Sequence, residues 1–257
     1  MDARLQKVLA QWGIASRRQA EDMITQSRVQ INGVLAHIGQ KVDPQKDTIT
    51  VDGKLVSALQ RPALIYLLLN KPTGVVSTCH DPQGRRTVLD LLPEELRSSQ
   101  GIHPVGRLDT DSTGALILTN DGDLTFWLTH PRHSIPKTYS VLVKGHPTDA
   151  VLEIWRHGVL LEGRKTRKAQ VKVIKKFASS SCLEIILKEG RNRQIRRVAQ
   201  QLGYEVIKLH RTAIGSIQLQ PGKGYLPEGA YRQLEEHETK FLEQLKKNSE
   251  LRTQNSE

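Results

Sequence analysis

Asp109 lies in Gly106-Arg107-Leu108-Asp109-Thr110-Asp111-Ser112-Thr113-Gly114, which runs directly into Ala115-Leu116-Ile117-Leu118-Thr119 and the turn signal Asn120-Asp121-Gly122. A carboxylate on a tight loop in front of a buried strand can serve as a covalent nucleophile or base, provided it is oriented and kept ionised. Gly106 and Gly114 allow backbone conformations and close approaches that a side chain would block. Arg107 can reach either the carboxylate or an anionic substrate. An isolated Arg-Leu-Asp would read more simply as an aspartate capping its own loop.

Three further segments place polar residues where chemistry competes with packing as the explanation. Asn70-Lys71-Pro72-Thr73-Gly74 turns the chain after the apolar run from Leu64 to Leu69. There Lys71 either supports a neighbouring loop or meets a substrate directly. From Lys137 the sequence Lys-Thr-Tyr-Ser-Val alternates as a strand, with Tyr139 and Val141 on one face. Around Gln194-Ile195-Arg196, the residues Ile195, Val198, Ala199 and Leu202 form an apolar helical stripe. Arg193, Arg196, Arg197 and Gln200 share the opposite face, which repels itself unless an anion sits against it.

The elements ahead of these segments form a smaller module. Leu5, Val8 and Leu9 recur at helical spacing and Gly13 stops that helix. Ser16 with Gln19 makes a capping box for a second helix carrying Ala20, Met23 and Ile24. The period then changes to strands: Val29 to Ile31 with an Asn32-Gly33 turn, and Ile49 to Val56 with Asp52-Gly53. Arg17 and Arg18 fall in the first turn of the second helix, where backbone N–H groups and the helix dipole favour a phosphate, and Lys7 and Arg28 can extend that surface. The expected boundaries are a module at 1–57, a linker at 58–63, a larger domain at 64–240 and a frayed or disordered tail at 241–257.

Both parts resemble known families. Gly-Arg-Leu-Asp, four residues, Gly, an apolar strand and Thr-Asn-Asp-Gly is similar to the signature of the RsuA/RluB branch of pseudouridine synthases. Leu5 to Ala10, Gly13 to Arg18 and Val29 to Gly33 resemble the S-four-type RNA-binding module, with Ser27 standing where that family usually has glycine. The resemblance implies an α+β fold: the small RNA-binding module, then a catalytic domain with a mostly antiparallel sheet around a central cleft. It implies Asp109 as nucleophile, Tyr139 packed on the uracil, Arg107 displacing the target base, and Arg196 paired with Asp109 so that its carboxyl stays ionised. Arg193 and Arg197 are then expected on phosphates, and Lys71 at the RNA or beneath the active-site loop.

The implied reaction is isomerisation of a uridine to pseudouridine in ribosomal RNA, with no cofactor or metal and a monomer as the family default. The stretch Pro131 to Tyr139 favours large-subunit (23S) over small-subunit (16S) rRNA. Two other readings are a non-catalytic ribosome-assembly factor and a carboxylate-based hydrolase, for which Asp111 is the only nearby second carboxylate.

Bulk properties agree with an anionic partner. Over 257 residues the formal net charge is +11, an excess that favours nucleic acid or a membrane surface. No apolar run approaches the ~20 residues of a membrane span, and the start lacks the apolar core of a signal peptide, so a cytoplasmic protein is expected. Cys79 and Cys182 are far apart, and His130, His133 and His210 have no metal-ligand spacing. Aromatic residues make up only 4%, which disfavours a broad base-stacking surface and points to backbone contacts plus a few placed rings.

Overall fold

The structure is a computed structural model that describes residues 2–57, 62–97, 100–220, 224 and 226–254. Most of the expected linker, residues 58–61, lies outside the described residues. The chain divides into two compact units, one of Met1–Ile65 with Leu92–His103 and Thr119–Gly122, the other of Tyr66–Leu91, Pro104–Leu118 and Asp123–Glu257. The first unit thus gathers short segments from beyond residue 64. The Asn120 side chain donates to the Ala63 carbonyl and accepts from the Ile65 N–H, and Thr119 Oγ1 donates to the Ile65 carbonyl.

The N-terminal elements are β1 (Ala3–Arg4), α1 (Leu5–Gln11), α2 (Arg17–Thr25), β2 (Val29–Ile31), β3 (Val34–Leu35), β4 (Lys41–Val42), β5 (Ile49–Val51) and β6 (Lys54–Val56). Ser16 caps α2 as expected: its Oγ accepts from Gln19 N at 3.3 Å while Gln19 Oε1 accepts from Ser16 N at 3.0 Å. Such a cap stabilises a helix by about 1 kcal/mol. The four-stranded sheet β3-β2-β5-β6 is antiparallel throughout. Leu5, Leu9, Ala20, Ile24, Val29 and Ile49 close the core beneath it. Ser27 adopts φ +59°, so a serine occupies the left-handed turn for which glycine carries no steric cost.

The chain continues through β7 (Tyr66–Lys71), α3 (Glu94–Arg97), β8 (His103–Pro104), β9 (Thr113–Thr119), α4 (Gly122–Thr129), β10 (Lys137–Lys144) and α5 (Asp149–His157). Then come β11 (Leu160–Leu161), β12 (Arg164–Lys165), β13 (Gln170–Lys176), β14 (Ser180–Leu187), α6 (Gln194–Gln201), β15 (Val206–Ile214), β16 (Ile217–Gln218), β17 (Tyr231–Gln233) and α7 (Glu236–Gln254). Most of the segment expected as a tail is therefore helical, and Phe241, Leu242 and Leu245 pack on the core. Asn70 and Lys71, expected in a turn, end β7 instead. Asn70 continues the pairing past β17 through its N–H to Ala230 O and its carbonyl from Gly229 N.

The large sheet runs β13-β14-β10-β15-β9-β7-β17. β13, β14, β10 and β15 are antiparallel to their neighbours, whereas β15 and β9 pair in parallel through His210 with Thr113 and Arg211 with Gly114. Gly114 is required there: its φ is +108° and a Cβ would sit 2.2 Å from the Arg211 carbonyl oxygen. Tyr139, Val141 and Val143 alternate inward on β10, and α5 and α6 cover them with Leu152, Trp155, Ile195 and Val198. On β13, Val171 is buried and Ile174 is exposed, as expected for positions on opposite faces of the strand, and Ile174 is the unpaired residue of a register shift between Val173 and Lys175.

Candidate active site

The Asp109 loop is held from below and from the side. Lys71 is fully buried, and its Nζ donates to the carbonyls of Pro72 (2.9 Å), Asp109 (3.1 Å) and Ser112 (2.9 Å). Burial lowers its pKa to about 8, with the nearby charges of Asp109 and Asp111 acting in the opposite direction. Lys71 is therefore a support beneath the loop and cannot meet RNA. From the side, Ser77 Oγ donates to Leu108 O and accepts from Leu108 N, and Gly74 N donates to Thr110 O. Sequence reading missed Ser77, whose type and position carry no periodic signal.

The loop opens on a cleft of about 300 Å³ that brings Arg107, Asp109, Tyr139 and Arg193 together with Lys137 and Arg211. Tyr139 enters it from the inward face of β10, opposite a bulge at Thr212 of β15 that shifts the β10–β15 register between Thr138 and Tyr139. Lys137 donates to the carbonyls of Leu128 and Ile135, and its pKa falls to about 8 through burial, with the Arg211 charge adding to the effect. Arg211 is 4% exposed and donates from Nε to Ala115 O at 2.6 Å. Arg211 is not among the site residues expected from the sequence. The approach of a second cation to this cleft depends on the β15–β9 pairing.

The arginines of the basic helix are partnered differently from expectation. Arg196 does not pair with Asp109: Nη2 donates to the Asp111 carbonyl at 2.9 Å, Nη1 donates to Val206 O at 3.1 Å, and Nε lies 3.3 Å from Asp111 Oδ2. Arg193 is the cation facing both carboxylates, bonding Asp111 at 2.8 and 3.2 Å and standing 3.5 Å from Asp109 Oδ2. The reason is local. Arg193 is the N-cap of α6 in a left-handed conformation, φ +48°, so it leaves the helical face it was expected to share. Arg197 pairs with Glu162 at 2.5 Å, which makes the anion opposite this residue one of the protein's own.

Hydrogen bonding from Arg193, with the charge of Arg196, holds the Asp111 carboxyl below the usual carboxylate range. An aspartate held ionised in this way is ill suited to donate a proton as the second carboxylate of a hydrolase. The α6 entry loop is pinned in turn. Gln194 Nε2 and Arg167 N both donate to Glu189 Oε1, and Arg191 donates to the carbonyls of Arg164 and Lys165.

In the N-terminal unit, Arg17 and Arg18 are exposed at the start of α2. Arg28 is committed to Asp52 by two hydrogen bonds of 2.8 and 2.6 Å, across the turn that joins β5 and β6. Lys7 is half-buried on α1. Among the described residues, no cluster of His, Cys, Asp and Glu has metal-binding geometry, and no helix is long and apolar enough to cross a membrane.

Known proteins carry the same pattern. The RNA pseudouridylate synthase family model matches residues 65–201, which include the Asp109 loop, Tyr139 and α6, and the S4 domain model matches residues 3–49. The chain belongs to the RNA pseudouridine synthases. This synthase is 41% identical over 94% of its length to ribosomal large subunit pseudouridine synthase B of Bacillus subtilis (strain 168), covering 96% of that protein. It is also 41% identical over 84% of its length to an uncharacterised RNA pseudouridine synthase of Mycobacterium tuberculosis (strain ATCC 25618 / H37Rv), covering 85% of it. A crystal structure of a pseudouridylate synthase superimposes with a TM-score of 0.66 at 31% identity, covering 94% of this chain and 99% of the other. The resemblance seen in the motifs thus extends to both parts of the fold.

Proposed function

We propose that this synthase isomerises a uridine of large-subunit (23S) ribosomal RNA to pseudouridine, as a cytoplasmic monomer, with Asp109 as its catalytic carboxylate. The observation that carries the reading is the convergence of Asp109, Tyr139 and Arg193 on one cleft, on a loop tied down by Lys71. The choice of the large subunit is supported by the names of relatives in Bacillus subtilis and in Pasteurella multocida (strain Pm70).

The target uridine must leave its stack to enter a cleft of this size, at a cost of a few kcal/mol that favours a loop or bulge. Arg107, exposed at the cleft, takes up the vacated position. Tyr139 lies against the base while Asp109 acts at the nucleoside. The bond from the sugar to N1 breaks, the base turns, a bond to C5 forms, and the C5 proton is lost as N1 gains one. Atoms and electrons balance without oxidant, reductant or group donor, so no redox cofactor enters the stoichiometry. Lys137 and Arg211 give the cleft a positive lining that suits charge developing on a detached base. Arg17 and Arg18 hold phosphates outside the catalytic domain.

The test is incubation of unmodified 23S and 16S transcripts with the protein, followed by nucleoside analysis for the carbon-linked isomer and mapping of its position. Isomer confined to 23S rRNA is expected. Isomer confined to 16S rRNA would overturn the choice of subunit, and none in either would overturn the activity.

A further inference from the structure

A cluster of rings stands beside the cleft although aromatic residues form only 4% of the chain. On α4, Leu124 and Leu128 face the core while Phe126 is 40% exposed. Phe126 and Trp127 meet edge to face at 5.4 Å. His133 lies 4.2 Å from Trp127, and His130 lies 5.0 Å from Phe126. The Arg132 guanidinium covers both rings, at 4.9 Å from the Phe126 centroid and 5.7 Å from that of Trp127. The turn bearing these groups is fixed by Arg167, which donates to Ser134 Oγ and the Pro131 carbonyl. His130, Pro131 and Ser134 also line the cleft that contains Asp109 and Tyr139.

We propose that Phe126, Trp127, His133 and Arg132 form a stacking platform for a nucleobase flanking the target uridine. The inference rests on the reading that RNA enters this cleft. When a uridine turns out of its strand, its neighbours lose a stacking face, and π-surfaces with an arginine beside them replace it without selecting a sequence. A cationic, ring-rich rim continuous with the cleft matches an unstacked base next to a phosphate. Helix packing alone does not require an exposed Phe126 beside a half-buried Trp127 on one short helix.

The experiment is fluorescence titration with dodecamer oligouridylate. Trp12 and Trp155 are 6% and 3% exposed, so quenching on binding reports on Trp127. Quenching is expected in the wild-type protein. Phe126→Leu should weaken binding roughly tenfold, the scale of one lost base–ring stack, with an unchanged slope against salt because no phosphate contact is removed. Phe126→Tyr should restore it. Wild-type affinity in a Phe126→Leu protein with an unaltered melting curve overturns the platform, as does a wild-type titration without quenching. Pseudouridine formation on 23S transcripts is measured in parallel. Its absence in the wild type overturns the activity, whereas its presence alongside unaffected Phe126→Leu binding overturns only the platform.

Discussion

Lys71 Nζ donates a 3.1 Å hydrogen bond to the backbone carbonyl of Asp109, and so ties the end of β7 to the loop that carries the proposed catalytic carboxylate. Two further carbonyls, those of Pro72 and Ser112, use the remaining donors of the same ammonium. Lys71→Met should cost on the order of 3 kcal/mol, since each buried acceptor left unpaired costs about 1–3 kcal/mol. It should lower kcat far more than RNA affinity. A melt and a single-turnover rate on one preparation decide this, and an unchanged rate would refute the anchoring role.

The same ammonium makes the pH dependence distinctive. Its proton leaves near pH 8 in the folded protein against 10.5 ordinarily. Between those values the unfolded chain binds more protons, so this group favours folding increasingly as pH rises. A neutral amine, however, has two N–H groups for three carbonyls. Activity should therefore decline above about pH 8 while the melting temperature does not. Lys137 loses its proton in the same range, and comparing pH–rate profiles of Lys71→Met and Lys137→Met separates the two contributions.

Asp109→Asn should abolish pseudouridine formation and leave RNA affinity within about tenfold, because the carboxylate does the chemistry and holds few phosphates. Turnover comparable to wild type would exclude Asp109 as the catalytic group.

Arg193 and Arg196 should differ in their effect on Asp111. Arg193 makes the hydrogen bonds that depress its carboxyl pKa, and Arg196 adds a charge. Carbon NMR of the carboxylate in Arg193→Met should show its midpoint moving up toward the ordinary value, with a smaller movement in Arg196→Met. The pair is half exposed, so its stabilising contribution is under about 1 kcal/mol, present above the ordinary carboxylate pKa and lost as pH falls through the depressed one. Equal shifts in the two variants would refute this division of roles.

Replacing Arg17 and Arg18 together should weaken RNA binding and reduce its salt slope by roughly 2, about one unit for each phosphate contact. Arg28→Gln should reduce the slope less, since Asp52 already engages that guanidinium. Affinities across a salt series test both, and a larger effect from Arg28 would reverse the assignment.

Two backbone positions should respond in opposite directions. Ser27→Gly should stabilise by about 0.5–1 kcal/mol by relieving a left-handed serine. Gly114→Ala should destabilise strongly, because its Cβ would fall 2.2 Å from the Arg211 carbonyl oxygen. Denaturant unfolding of the two variants measures both effects.

The sequence alone determined what neighbouring residues decide among themselves. The Ser16–Gln19 cap, the Asn32-Gly33 and Asp52-Gly53 hairpins, the inward face of Tyr139 and Val141, and the apolar stripe of α6 follow from contacts a few residues apart, and the structure contains each of them. The spaced motifs likewise identified the family. Tertiary structure decided which charge meets which. Arg193 and Arg196 are three residues apart, and Asp109 and Asp111 only two, so several pairings fit the sequence equally well. The left-handed N-cap at Arg193 and the placement of α6 against a loop more than 80 residues earlier selected among them. The burial of Lys71 had the same origin. A lysine after a strand looks like a surface cation until Asp109 and Ser112, 38 and 41 residues further on, fold their carbonyls over it. Ion pairs and buried donors depend on distances of a few ångströms between segments remote in the chain, and no local pattern carries those distances.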